Sequence, residues 1–366
     1  MRKLDLKMIL SVTVGIILTT SVFGFYNYSS DNVIPLASAA TCTPTAHAPI
    51  LITSDKDFTS SNGVISGTGT ATNPYIIGTW KINDLSSGYG LKIDNSNGKI
   101  TKYFNIQCIQ SSYTTTPASG ADLIWLVNIH TNTKISNISA NAGEKEDSTG
   151  VLLDSSSNIT MDNLSLNKLE GDGIKVNLSN NITIVESKLK AAHAGASIVN
   201  SHDINIGKPC NLSSTNGGCN AFTYAGRGVY ILDSHNVQVQ YTITSGDDTT
   251  GVLLDGSGTY NVKLTNGITS GDGTICERGE PSGDAVDYES GVAIINGAHD
   301  ITMSGYTLKG DSHYSMMNGG DGKFLNPCTG LTETVPTSAP GGSNLSMDGN
   351  CYGTQFGFNP VPTSTC

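Results

Sequence analysis

Downstream of residue 88 the chain alternates apolar and polar residues in short runs, and the runs recur. Gly150-Val151-Leu152-Leu153-Asp154 is followed by Asn158-Ile159-Thr160-Met161, and Gly173-Ile174-Lys175-Val176-Asn177 by Asn181-Ile182-Thr183-Ile184. The pattern returns from Gly228 to Asp233, from Gly251 to Asp255 and from Gly291 to Asn296, with a looser copy from Gly90 to Asp94. Gly150 and Gly173 are 23 residues apart, and so are Gly228 and Gly251. Within one unit Val151 and Leu153, Ile159 and Met161, and Leu164 and Leu166 alternate with period two, which sets each pair on one face of a strand. Three strands in so short a unit leave room only for tight turns, too short for a crossover helix or a propeller blade.

The arrangement that buries every apolar pair is a coil wound on itself, with equivalent strands of successive coils paired in parallel about 4.8 Å apart. Parallel connections favour right-handed winding. The expectation is an all-β, right-handed, single-stranded parallel β-helix with coils of roughly 22–23 residues and Cys/Gly-rich loop inserts. Val151, Ile174, Val229 and Val252 should then stack in one interior row. Inserts at 207–225, 271–289 and 319–350 should project as loops. The Asp or Asn at the end of the first strand (94, 154, 177, 200, 233, 255 and 296) is expected to stack at one turn as a hydrogen-bonded ladder. The organisation read from these features is a signal segment over 1–40, an N-terminal cap and first turn over 41–87, the helix over 88–325, and a Cys-containing cap over 326–366. Caps are needed because open ends would expose unpaired strand edges.

Composition narrows the partners. The 366 residues include 42 Gly, only 14% are charged, and the net charge is −11. After residue 40 the only arginines are Arg227 and Arg278. An acidic chain without a basic stripe is a poor match for nucleic acid or anionic lipid. Arg2, Lys3 and Lys7, an apolar stretch from Met8 to about Phe25, and Ala37-Ser38-Ala39 read as an export signal, with an uncleaved membrane anchor as the alternative. All eight Cys follow that segment without a Cys-x-x-Cys pair, which favours disulfides over zinc or redox motifs. Spacing suggests Cys210 with Cys219 and Cys351 with Cys366. A secreted or cell-surface location follows.

The repeat resembles the broad right-handed parallel β-helix superfamily, which includes pectate lyases, polygalacturonases and the periplasmic β-helix proteins linked to nitrous-oxide reductase maturation. The segment from Gly67 to Ile82, with Asn73-Pro74-Tyr75 and Trp80, resembles the opening of proteins of the last kind. This resemblance covers roughly residues 62–310 and implies a fold more than an activity, since the fold hosts enzymes, adhesins and binding proteins alike. Ser245-Gly246-Asp247-Asp248 is similar to a short polygalacturonase motif holding catalytic aspartates, but the companion Gly-His-Gly and Arg-x-Lys motifs are absent.

Candidate chemistry lies in three sets. Acidic residues precede the first strand of several coils: Glu144, Glu146 and Asp147; Glu170 and Asp172; Asp247 and Asp248; Asp284, Asp287 and Glu289. Asp247 and Asp248, with Arg227 opening the preceding coil, are the catalytic candidates, and Asp247, Asp248, Asp287 and Glu289 the candidate Ca²⁺ ligands. Solvated turn acids are the plain alternative. His202, His235 and His299 share one kind of turn position; His202 and His235, on adjacent coils, would lie within reach of one copper or zinc ion, with polar turn residues as the plain alternative. Among the Asn-x-Ser/Thr sequons, Asn211 and Asn344 lie in inserts and are the better glycosylation candidates, whereas Asn158 and Asn181 fit the repeat's own turn. The first functional reading is a non-catalytic protein that binds polysaccharide or another cell-envelope component. A lyase or hydrolase using the acidic edge with Ca²⁺ is second, and a copper-binding accessory protein third.

Overall fold

The computed structural model describes residues 42–112, 120–145, 148–213, 218–223, 225–247, 249–272 and 290–309, together with the backbone of short strands between 314 and 357. The expected export segment lies outside the described residues. The described chain is a right-handed parallel β-helix, without α-helix among these residues and with two single 3₁₀ turns, Asp55–Asp57 and Ser60–Asn62. No helix among them is long and apolar enough to cross a membrane.

A typical coil lays one strand on each of three faces. The first face runs from Ile50–Ile52 through Tyr89–Asp94, Asp122–Val127, Thr149–Asp154, Asp172–Asn177, Ala194–Val199, Arg227–Leu232 and Thr250–Asp255 to Ser290–Ile294, Tyr314–Asn318 and Phe356–Gly357. The second holds, among others, Phe104–Ser111, Thr133–Lys145, Ser157–Leu169, Asn180–Val185, His202–Ile206, His235–Gln240, Tyr260–Thr265 and His299–Ser304. The long strands Thr133–Lys145 and Ser157–Leu169 continue round the corner onto the third face, where Lys188–Ala191, Asn220–Thr223, Thr242–Ser245 and Ile268–Ser270 follow. Strands from the expected caps, Ile50–Ile52 and Ser343–Asp348, pair into the same sheets.

Inside the first face Ile50, Leu91, Ile124, Val151, Ile174, Ala196, Val229, Val252 and Val292 pair strand to strand and are all fully buried. The four residues expected in one row are there, with Ala196 inserted between Ile174 and Val229. The Ala194–Val199 coil is hard to read from the pattern because it places alanines where its neighbours have bulk. Coil length also varies more than the repeat suggests. The equivalent residues Ser156, Ser179, Ser201, Ser234 and Thr259 are separated by 23, 22, 33 and 25 residues.

The glycine that opens each unit has a steric reason. A Cβ on Gly150, Gly173, Gly195, Gly228 or Gly251 would lie 2.5–2.7 Å from the carbonyl oxygen of the equivalent glycine one coil on. At the next corner a buried hydroxyl column ties the coils together. Ser156, Ser179, Ser201 and Ser234 each donate Oγ–H to the carbonyl two residues back, at 2.7–2.9 Å. Each also gives its backbone N–H to the hydroxyl of the following coil, at 2.9–3.3 Å.

The first-turn Asp/Asn ladder is only partly formed. Asp94, Asp154, Asn177 and Asp255 share one register, and Asn177 donates to Asp154 at 3.0 Å. Asn200, Asp233 and Asn296 lie one residue later, at φ of 48°, 45° and 53°, because Val199, Leu232 and Ile295 occupy the register position. Asp and Asn tolerate that left-handed backbone better than most residues. Two disulfides are present among the described residues, Cys42–Cys108 and Cys210–Cys219. The suggested Cys351–Cys366 pairing falls outside the described residues, and sequence spacing offered no sign of Cys42–Cys108.

Candidate functional site

Two places on the coils gather polar or titratable side chains, one outward-facing and one largely buried. On the second face Asn158, Asn181, Asp203, Asn236, Asn261 and Asp300 all take a left-handed backbone, with φ from 52° to 61°. Asn181 donates to Asn158 at 2.7 Å, Asn236 to Asp203 at 2.9 Å and Asn261 to Asn236 at 2.6 Å. This is the longer ladder, built on residues that the sequence offered mainly as sequons or as neighbours of histidine.

One position earlier, His202, His235, Tyr260 and His299 are strand partners on successive coils. Their rings stack with centroids 5.1, 4.6 and 5.4 Å apart and planes within 15° of parallel. His202 Nδ1 lies 2.9 Å from Asp203 Oδ2, and His299 Nδ1 lies 2.8 Å from Asp300 Oδ2. The rings cover one another's faces and leave their edges outward. His202 and His235 do fall on adjacent coils, and Tyr260 stands between His235 and His299. Among the described residues no group of three His, Cys, Asp or Glu side chains is placed to hold a metal.

Lower on the same face lies a groove of about 350 Å³ lined by Asn105, Asn132, Thr133, Lys134, Asn158, Thr160, Asn181 and Thr183. Asn105, Lys134, Thr160 and Thr183 occupy the same outward position on four successive strands. Lys134 is paired with Asp162, Nζ to Oδ2 2.7 Å.

The second gathering is at the corner where the chain enters the first face. Asp122 pairs with Thr149, and Asp172 opens the following strand; both aspartates are nearly fully buried. Burial pushes the Asp122 carboxyl up to about 7, against a hydrogen bond from the Thr149 side chain and the charges of Lys175 and Lys92; the charge of Asp172 adds to the rise. Asp172 Oδ1 lies 2.8 Å from His193 Nδ1. Lys92 holds its Nζ 3.5 Å from the centroid of the Trp125 ring. His193 and Asp122 lie outside the repeat signature, so pattern reading passed over both. The one legible signal for Asp122 was a polar residue at an inward-facing position; His193 is exposed and gave none.

A pH dependence follows. An Asp with a folded pKa above its unfolded value stabilises the fold fully below about pH 4, and that contribution is lost as pH rises towards about 7. Asp122→Asn removes the titration while keeping size and hydrogen bonding. It should raise the melting temperature at pH 8 and change it little at pH 4, with a ceiling on the order of 4 kcal/mol. Thermal denaturation at the two pH values checks this; an equal shift at both would place the Asp122 carboxyl in an ordinary solvated environment.

The residues singled out from sequence are dispersed. Asp247 is fully buried; its Oδ1 accepts the Ala225 N–H at 2.9 Å and its own N–H donates to Asp272 Oδ1 at 3.1 Å. Its carboxylate also packs against Gly228, where a Cβ would come within 2.6 Å of Oδ2. Arg227 instead lies half-exposed on the first face, its guanidinium carbon 5.0 Å from the Tyr230 ring centroid. Tyr230 donates to Asp255 at 3.2 Å, and burial together with that charge pushes its hydroxyl up to about 12. With Asp172 and Asp247 buried, the acidic edge is not a solvent-facing strip at these coils. Asp248, Asp287 and Glu289 lie outside the described residues. Asn211 is exposed, its Oδ1 accepting the Ser213 N–H, and Asn344 lies in Ser343–Asp348.

No protein-family model and no curated protein matches the chain. Among solved structures it is similar to the enzymatically active domain of bacteriophage CBA120 tailspike protein 2, at 12% identity and a TM-score of 0.47, covering 84% of this chain and 42% of that one. It is also similar to an exopolygalacturonase from Thermotoga maritima, at 8% identity and a TM-score of 0.40, covering 83% of this chain and 82% of that one. A third is the tailspike of E. coli bacteriophage HK620 in complex with a hexasaccharide, at 11% identity and a TM-score of 0.42, covering 81% and 51%. The chain thus spans less than half of the first tailspike domain's length.

Proposed function

We propose that the protein is an extracellular or surface-exposed β-helix that binds polysaccharide, and that the second-face groove is its binding site. The observation that carries the reading is the lining: amides and hydroxyls from four coils, with a single charge. Such groups exchange hydrogen bonds with water for hydrogen bonds with sugar hydroxyls, and a long polymer can sum many modest contacts. Two disulfides support an oxidising environment.

A second reading is hydrolysis of a glycan at the first-face corner. One arrangement favours it: Asp122 and Asp172 flank Thr149 on alternate coils, and burial pushes the Asp122 carboxyl up to about 7; a carboxyl with a raised pKa and a second carboxyl can divide acid and base roles on a glycosidic bond. The copper-accessory reading rests on His202 and His235 alone, strand partners with stacked rings.

Affinity electrophoresis through gels cast with neutral and acidic polysaccharides, with Ca²⁺ or chelator, tests both readings. Retardation without release of reducing ends or unsaturated products is expected. Turnover that disappears in Asp122→Asn would favour hydrolysis at the corner. Free migration through every gel would sink the polysaccharide reading.

A further inference from the structure

We propose that the second-face groove takes a neutral glycan chain lying along the helix axis and discriminates against polyuronates; this rests on the polysaccharide-binding reading of the same groove. The first ground is charge. Of the eight lining residues four are Asn, three are Thr and one is Lys134, whose ammonium already faces Asp162 at 2.7 Å. A uronate chain brings one carboxylate per sugar. In this groove each would give up water for neutral donors, against the field of a chain with net charge −11. Hydroxyl and acetamido groups lose far less on transfer and find matching donors and acceptors.

The second ground is direction. The lining comes from four successive coils, and Asn105, Lys134, Thr160 and Thr183 stand in register. Paired strands are about 4.8 Å apart, so the same outward position recurs along the axis at close to the length of one extended pyranose unit. Beyond the groove the row continues as Asn205, Gln238 and Lys263. A chain laid along the axis meets one polar set per sugar, whereas a chain laid across the faces would leave the groove after a single coil.

The third ground concerns aromatics. The nearest ring, His130, has both nitrogens in hydrogen bonds, to Ser157 and Asn128, and His202, His235 and Tyr260 further along stack on one another. Recognition at this surface therefore runs through hydrogen bonds and not through sugar–ring stacking, which makes the threonine hydroxyls the groups to remove.

Isothermal titration of the full chain with di- to hexasaccharide series of cello-, xylo- and chito-oligosaccharides, and with oligogalacturonates of the same lengths, at low and high salt, tests the proposal. A neutral tetrasaccharide should bind at least roughly tenfold more tightly than tetragalacturonate, with little salt dependence and with affinity rising from dimer to tetramer. Thr160→Val combined with Thr183→Val should weaken it roughly tenfold at an unchanged melting temperature. Equal or tighter binding of the galacturonate would overturn the neutral class while leaving the polysaccharide reading intact. Affinity flat in chain length, or indifferent to the two valines, would overturn the axial groove. No binding by any series would overturn both.

Discussion

Val229→Asp is expected to abolish cooperative folding of the central coils. Val229 is fully buried between Ala196 and Val252 in the interior row. An aspartate there replaces an apolar contact on both sides with a charge that has no counterion within the row. Leaving such a group unpaired in an apolar interior costs several kcal/mol, comparable with the whole stability of an ordinary domain. Because each coil of a solenoid contacts chiefly its neighbours, the damage should spread to both adjacent coils before it fades. Circular dichroism with thermal melting should show a lost or much lowered transition, while Tyr230→Phe, next in sequence but outward-facing, should stay close to the parent. A Val229→Asp protein that melts like the parent would mean that this row is not the core.

The second large effect is expected from a single methyl group. In Gly173→Ala the new Cβ would sit 2.6 Å from the Gly195 carbonyl oxygen and 3.2 Å from Leu189 Cβ. The oxygen belongs to a paired strand, so it can retreat only by breaking the ladder that spaces the coils. Overpacking against backbone costs on the order of 1–3 kcal/mol or more, and here the strain repeats at every coil that must shift. Gly88→Ala is the informative partner: Gly88 has φ of 84° but nothing within 4 Å of a Cβ, so it should cost only about 1 kcal/mol of backbone strain. Denaturant midpoints for the two variants should separate clearly. Equal losses would show that backbone conformation, not close approach of coils, selects glycine in the repeat.

The fold was legible because burial on two or three faces of a short unit forces the period into the sequence. Val151, Ile174, Val229 and Val252 announce themselves by alternation with Leu153, Val176, Ile231 and Leu254. Ala196 did not, since an alanine between Ile174 and Val229 keeps the row with too little bulk to mark the repeat. The outer surface was far less legible. Asp247 carries a motif-like signature, yet it is an interior brace, because a short acidic sequence is the same whether its carboxylate points out or caps an N–H. The three histidines were seen, but their relation was not, because it depends on Tyr260 arriving in register from a coil with no histidine. Asp122 and the Asn/Thr groove required knowing which coils are neighbours, and coils of unequal length hide that from spacing alone.

The hydroxyl column has a consequence for how the chain is made. The amide of Ser156 is satisfied by Ser179, that of Ser179 by Ser201, and that of Ser201 by Ser234. Every donor therefore waits for an acceptor that lies later in the chain. During synthesis from the N-terminus, a coil that has emerged cannot finish its own corner until its successor has emerged and docked. The growing structure would carry one incomplete rung at its leading edge at all times, moving forward with elongation. The long coil between Ser201 and Ser234, which brings in the Cys210–Cys219 loop, is where that exposed rung would persist longest and where a chaperone would have most to protect.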